Sequence, residues 1–319
     1  MRLLESVGPV PSPGAQTPGQ GTRPTGGSLL AIGPAPQIGF QRRDRSPSVR
    51  GVSPAKSRPD ELPVALSIAG SDSGGGAGVQ ADLLTFAANG VFGTTAITCI
   101  TAQNPGGVTA VSATDPGMVR AQAEQVASFF NLRAVKTGML YDAAIIEEVA
   151  AFLEARPGLP VVVDPVMVST SGAKLLKDEA IEALRERLFP RAKVVTPNLD
   201  EAAVLSGTRA YDVASMERVA ILLSLKHGIP FLVKGGHLPD DTLVDVLAVP
   251  GGMALRFSGS RIEGVDTHGS GCTLSAAIAA HLALGRSLEE AVAAGRDYLR
   301  LAIESSLATG GRRFINHLP

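Results

Sequence analysis

From Val64 onward the chain alternates between short, uninterrupted apolar runs and segments of helical period. No other feature limits its possible folds so tightly. The apolar runs are VALSIAG, TTAITCITA, AVKTG, PVVVDP, AKVVTPN, PFLVKGG and TLVDVLAV. A run with no polar alternation belongs to a strand covered on both faces. Between the runs, residues 142–153 place Ile145, Ile146, Val149, Phe152 and Leu153 on one helical face behind Asp142 as an N-cap, and residues 212–227 read as a helix stopped by Gly228. Helices alternating with doubly covered strands define the α/β class with a mostly parallel sheet. There is no internal repeat and no second linker, so residues 61–319 are expected to form one domain.

The first 60 residues do not share this pattern. They hold ten of the 22 prolines and nine glycines, with eight Lys/Arg against three Asp/Glu and no hydrophobic period. Such a segment cannot bury enough apolar surface to offset the entropy of ordering it, so it is expected to be a disordered tail, or sequence upstream of the true start. It lacks the apolar core of a secretory signal, and its prolines oppose the amphipathic helix of a transit peptide.

The whole chain carries a formal charge of -1, with no basic surplus to attract nucleic acid. No apolar run approaches the roughly 20 residues of a membrane span. Two cysteines, Cys99 and Cys272, are too few for a disulfide framework in 319 residues, so a cytoplasmic location is the simplest expectation. Cys99, inside AITCI, is expected in the core.

In an open α/β sheet, ligands gather where strands end at their carboxyl side. There the sequence places SDSGGGAG, QNPGG, Met139, Asp164, Asn198 and Lys234 with two glycines. THGSGCT then precedes a helix with Leu274, Ile278 and Leu282 in step, closed by Gly285. Small residues at a helix start free backbone N–H groups for an anion such as phosphate. The same residues also fit an ordinary glycine turn capped by Thr267 or Ser270. Cys272 lies in the first turn, where a thiol pKa is lowered; it can serve as a base or simply pack. SDSGGGAGVQADL is a strand–loop–helix unit without the Lys-Ser/Thr of a Walker A loop and without a dinucleotide-binding fingerprint. Asp82, in the early turns of its helix, either faces the sheet edge or complements the helix dipole. Asn198 and Glu201 fit a capping box. Asp164, ending a fully apolar strand, is placed to hold Mg²⁺, and Lys234 to meet phosphate.

Taken in order, IAGSDSGGGAGVQADLLTF, ITAQN, KTGMLYD, VVVDPVM, TPNLDEA, VKGGH and THGSGCTLSAAIA resemble the ribokinase superfamily, and within it the hydroxymethylpyrimidine/phosphomethylpyrimidine kinases of thiamine biosynthesis. The resemblance implies a three-layer αβα sandwich around a mostly parallel sheet. It implies an ATP-dependent enzyme that phosphorylates 4-amino-5-hydroxymethyl-2-methylpyrimidine and then its monophosphate. Asp82 and Gln103 would hold the pyrimidine, with Met139 and Val166 against its ring. Asp164, Asn198 and Glu201 would organise Mg²⁺, and Lys234 would contact ATP. The N–H groups of Gly269, Ser270, Gly271 and Cys272 would stabilise the transferred phosphoryl group. Most of the superfamily carries Asp as base where this chain has Cys272. The chain departs from the usual pattern at SDSGG, where SDPSGG is common, and at Ser270, where Thr is common. The implied partners are small molecules, with a homodimer left open; the alternative activity is that of a pyridoxal kinase.

Overall fold

The computed structural model describes residues 61–167, 176, 178–236, 238 and 242–319. The segment 1–60 and His237 of the KGGH motif lie outside the described residues. Nine strands form the main sheet: β1 (Val64–Asp72), β2 (Phe92–Asn104), β3 (Gly107–Ala113), β4 (Leu132–Thr137), β5 (Val161–Val163), β6 (Val194–Val195), β7 (Phe231–Val233), β8 (Thr242–Val249) and β9 (Met253–Ser260). Their spatial order is β3-β2-β1-β4-β5-β6-β7-β8-β9. The six strands from β2 to β7 run parallel, and β3, β8 and β9 are antiparallel additions at the two edges. Each of the seven apolar runs contains a strand. A small hairpin of β10 (Leu307–Thr309) and β11 (Arg312–Phe314) stands apart.

The central strands are apolar throughout because helices cover both of their faces. Val161, Val163, Val195, Phe231 and Val233 pack on one side, against Val119 of α2 (Pro116–Phe129), Ile146 and Phe152 of α3 (Ala143–Glu154), Leu205 of α5 (Leu199–Ser206) and Leu223 of α6 (Val213–His227). Val162, Val194 and Leu232, the neighbours of those residues in the same strands, pack on the other side. There they meet Phe86 of α1 (Gly78–Ala88), Leu274 and Ile278 of α7 (Ser270–Ala283) and Val292 of α8 (Leu288–Glu304). A strand sends successive side chains to opposite faces, so the alternation produces three layers. The short α4 (Asp178–Ala183) joins the first layer through Ala180.

The helix boundaries follow local chemistry. Asp142 accepts from the Ile145 N–H at 2.9 Å and opens α3; Asp212 does the same for Ser215 at 2.7 Å and opens α6. Gly228 ends α6 at φ 68°, and Gly285 follows α7 at φ 82°. In both places the left-handed backbone favours glycine. Cys99 is fully buried, as expected. No helix among the described residues is long and apolar enough to cross a membrane.

Helix α7 is buried at every residue from Thr273 to Ala283. That includes His281, whose Nδ1 has no hydrogen-bond partner among the described residues. Burial, reinforced by the charge of Arg286, pushes its pKa down to about 4. A group depressed in the folded state stabilises the fold above its unfolded pKa, near 6.5, and that contribution is lost as pH falls toward 4. The unfolding free energy of wild type relative to His281→Leu should therefore fall by about 3 kcal/mol between pH 7 and pH 4. Urea titrations at a series of pH values measure this; a pH-independent difference would show that His281 does not titrate with unfolding.

Candidate active site

A cavity of about 550 Å³ opens at the carboxyl edge of the parallel strands. Gln103, Met139, Asp164, Val166, Asn198, Glu201 and Lys234 all line it, as does the turn Gly269-Ser270-Gly271-Cys272. Asp82 does not. It is fully buried in α1, behind the cavity wall, where both carboxylate oxygens accept from Lys136 Nζ (2.9 and 2.8 Å) and one accepts from Ser67 Oγ at 2.5 Å. The expectation that Asp82 touches a pyrimidine is corrected accordingly: its side chain has no exposure. Helix α1 starts only at Gly78, which turns Asp82 inward over the sheet. Lys136 is itself fully buried in β4. Burial alone would depress its pKa, but Asp82, Cys272 and Asp164 outweigh that and raise it, so it stays a cation.

One end of the cavity is built from β5, β6, β7 and α7. Lys234 Nζ donates to Asp164 Oδ1 at 2.9 Å. Thr196 and Ser275 hydroxyls also donate to the Asp164 carboxylate, each at 3.2 Å. Burial opposes its ionisation, yet Lys234 and Lys136 hold its pKa below the usual carboxylate value. The capping box is present: Asn198 accepts from the Glu201 N–H at 2.9 Å, and Glu201 accepts from the Asn198 N–H at 2.8 Å. The other Glu201 oxygen accepts from Met167 N at 3.4 Å. Burial pushes Glu201 up to about 7, with Asp164 adding to the rise and Lys234 opposing it.

The start of α7 is pressed against the first glycine loop. A Cβ on Gly269, at φ 84°, would lie 1.8 Å from the Gly76 carbonyl oxygen, so no other residue fits there. Ser270 N donates to Thr267 O at 3.0 Å, and Thr273 N to Gly269 O at 2.9 Å. The Ser270 N–H is thus already engaged, a correction to the expected set of donors. The N–H groups of Gly271 and Cys272 have no acceptor among the described residues. A Cβ on Gly271 would come within 3.1 Å of Lys234 Nζ. The Lys234 ammonium therefore lies beside the start of α7, where two N–H groups are free; groups of these kinds can stabilise charge on a phosphoryl group in transfer.

The Cys272 thiol departs from expectation. Burial pushes its pKa up; Lys136 and the Gly78 N–H pull it down, while Asp82 and Asp164 oppose them. Desolvation among carboxylates outweighs the helix terminus, and the resting group is a thiol.

Two polar residues that the sequence reading quoted but did not assign stand beside Gln103. Asp72, at the end of β1, accepts from Gly74 N (2.8 Å), Ala77 N (2.9 Å) and His268 Nε2 (3.1 Å). Burial opposes its ionisation, but His268, Gly74 and Ala77 hold its pKa below the usual value. His268 Nε2 also lies 3.1 Å from Gln103 Nε2. Also unassigned were Arg296, Leu299, Arg300 and Ile303 of α8, which line the far end of the cavity with Leu243. Their i, i+3, i+4, i+7 spacing was the available signal.

A nucleotide-sized cleft, free N–H groups at a helix start and a paired lysine define a phosphotransferase built on an α/β sheet. Residues 72–316 match the family described as phosphomethylpyrimidine kinase. A hydroxymethylpyrimidine/phosphomethylpyrimidine kinase of Rhizobium meliloti is 51% identical over 244 residues, 76% of this chain and 91% of that one. A solved phosphomethylpyrimidine kinase from Clostridium difficile 630 superposes with a TM-score of 0.67 at 41% identity, over 76% of this chain and 100% of that one. A Bacillus subtilis pyridoxal kinase, solved as an ADP complex, superposes with a TM-score of 0.73 at 38% identity, over 81% and 98% of the two chains. This chain belongs to the phosphomethylpyrimidine kinase family, and its fold is ribokinase-like.

The position of Asp82 can be tested through stability. Removing one partner of a buried ion pair leaves the other charge uncompensated and costs about 3 kcal/mol or more. Asp82→Asn should lower stability by that amount while leaving the KM of the remaining folded enzyme for its acceptor unchanged. Chemical denaturation and steady-state kinetics on the same preparation check both. A large rise in KM at unchanged stability would place Asp82 back at the substrate.

Proposed function

We propose that this chain transfers the γ-phosphoryl group of ATP to the hydroxymethyl group of 4-amino-5-hydroxymethyl-2-methylpyrimidine, and then a second phosphoryl group to the monophosphate. The reading rests on one observation above all: the free N–H groups of Gly271 and Cys272 share a cavity with a hydrogen-bonding acceptor end at Gln103 and an apolar nucleotide end at Leu243, Leu299 and Ile303. Family membership supplies the substrate class. The pyridoxal kinase of Bacillus subtilis superposes as well as the pyrimidine kinase does, and it carries the second reading, phosphorylation of pyridoxal. Turnover of ATP against the pyrimidine alcohol, its monophosphate and pyridoxal, side by side, separates the two. Exclusive use of pyridoxal would overturn the first.

Met139 and Val166 present apolar surface to the acceptor ring, and Gln103 pairs with its polar edge. Lys234, anchored by Asp164, meets the polyphosphate as a fixed charge. The Gly271 and Cys272 N–H groups face the oxygens that gain charge as the phosphoryl group leaves ADP. Two buried carboxylates against one lysine fit Mg²⁺, but their oxygens are engaged and no cluster of three or more ligands exists among the described residues. An ion arriving with the nucleotide would be held by Asp164, Asn198 and Glu201, and would neutralise phosphate charge. Burial makes the thiolate of Cys272 a minority form near neutrality; it is this form that takes the alcohol proton, late in the transfer, and becomes the thiol. A loose phosphoryl-transfer transition state allows this, because little nucleophile deprotonation is needed early.

The two acceptors make different demands on Cys272. The alcohol must lose a proton, and a positioned base supplies about 10²–10⁴ in rate. The monophosphate, with a second pKa near 6, is already an anion near neutrality. Cys272→Ala should slow the alcohol step far more than the monophosphate step in single-turnover experiments. Because burial raises the thiol pKa, the wild-type alcohol rate should keep rising with pH above neutrality, and the variant should lose that rise. Equal losses on both acceptors would assign Cys272 to packing of the turn.

A further inference from the structure

The acceptor end of the cavity contains a hydrogen-bond conflict that has only one resolution. Asp72 is ionised and can only accept, so the His268 nitrogen 3.1 Å from its Oδ2 must carry a proton. That same Nε2 faces the Gln103 amide at 3.1 Å; once protonated it has no lone pair to receive the NH₂ group, so only the amide oxygen can face it, sharing the proton given to Asp72. At the other end of the amide, Thr101 Oγ1 lies 2.9 Å from Ser71 O and 3.3 Å from Gln103. A hydroxyl has one proton, and the shorter contact to a backbone carbonyl takes it. Thr101 therefore offers Gln103 a lone pair, which calls for the NH₂ group. Gln103 stands with Nε2 toward His268 and Oε1 toward Thr101; both neighbours demand that the amide be turned over, oxygen toward His268 and nitrogen toward Thr101. The Gln103 backbone cannot shift to evade this, because its N–H donates to Ser73 Oγ at 2.8 Å and its carbonyl accepts from the same hydroxyl at 2.7 Å.

We propose that His268, held by Asp72, is a positioning residue that fixes the sense of the Gln103 amide and thereby selects the ring edge the enzyme accepts. With one lone pair of Oε1 on His268 and one N–H on Thr101, a single acceptor and a single donor remain for the ligand. The acceptor lies on the His268 side and the donor on the Thr101 side. That edge matches a ring carrying an amino group beside an unprotonated ring nitrogen. A 4-oxo ring with a protonated nitrogen presents the reverse pattern, and a site whose buried polar groups are left unpaired rejects such a ligand strongly. This rests on the pyrimidine reading above and adds to it what sets the selectivity.

The test compares kcat/KM for the 4-amino pyrimidine alcohol and its 4-oxo analogue in wild type, His268→Gln and His268→Leu. The Gln variant keeps a donor where Nε2 was and should keep the wild-type preference. The Leu variant frees the amide to turn; the amino-over-oxo ratio should drop by about tenfold or more, through KM, with the KM for ATP unchanged. A second measurement, ¹⁵N NMR of histidine-labelled wild type without ligand, should find a proton on His268 Nε2. An unchanged ratio in the Leu variant, or a bare Nε2, overturns the inference. Failure of wild type to turn over either pyrimidine would sink the functional reading instead, and the protonation state of Nε2 would still decide the arrangement at Gln103.

Discussion

A sheet covered on both faces can present polar chemistry to a ligand only at its edge, since a charge inside it, such as Lys136, must be paired and sealed off, and the rest of the site depends on that constraint. Val161 to Val163 alternate between two helix layers and leave no room for a charge until the strand ends at Asp164. The same holds at Val194–Val195, followed by Asn198, and at Phe231–Val233, followed by Lys234. Side chains far apart in sequence are brought together because each is the first polar group its strand can expose. The paired carboxylates and lysines there are desolvated by the layers beneath, which strengthens every charge at the edge.

The second determinant is the contact between the two glycine turns. Gly269 lies so close to the Gly76 carbonyl that a methyl group cannot be inserted. This brings the start of α7 up to the loop after β1, and with it the Lys234 end of the cavity up to the Gln103 end. Asp72 reinforces the same junction by accepting from both the loop and His268. The geometry of this junction is therefore set by backbone, which cannot relax as a side chain can. The fully buried Asp82–Lys136 pair lies directly behind and supplies a cation close to the Cys272 thiol without occupying the cavity.

Much of this was legible in the sequence, for a physical reason. Doubly covered strands leave continuous apolar runs, and all seven were visible. Strand β9 was missed because it is an edge strand, MALRFSGS, exposed along much of its length. Strand β3 was missed because GVTAVSA is half exposed and owes its place to the turn at Gly106 and Gly107 rather than to its own burial. The motifs located the cavity, but could not say which way a helical side chain points. Asp82 was assigned outward, whereas Lys136, a lysine in the middle of an apolar strand, was the signal that a buried carboxylate had to face it. The thiol of Cys272 was judged by its helix position alone, and its desolvation becomes visible only once Asp82 and Asp164 are known to be neighbours. His268 lay inside a quoted motif and carried no signal of its role, since its partners Asp72 and Gln103 are remote in sequence.

The central claim is that the free N–H groups at the start of α7, with Lys234, cradle the phosphoryl group in flight. A crystal structure of the protein with ADP, aluminium fluoride and the pyrimidine alcohol tests this most directly, since the fluoride mimics the transferred group. The account predicts fluorine atoms about 2.7–3.1 Å from the Gly271 and Cys272 nitrogens, with Lys234 Nζ in contact and the alcohol oxygen in line beside Cys272. Aluminium fluoride bound instead against the Gly74–Gly76 loop, with the α7 N–H groups facing only water, would contradict it.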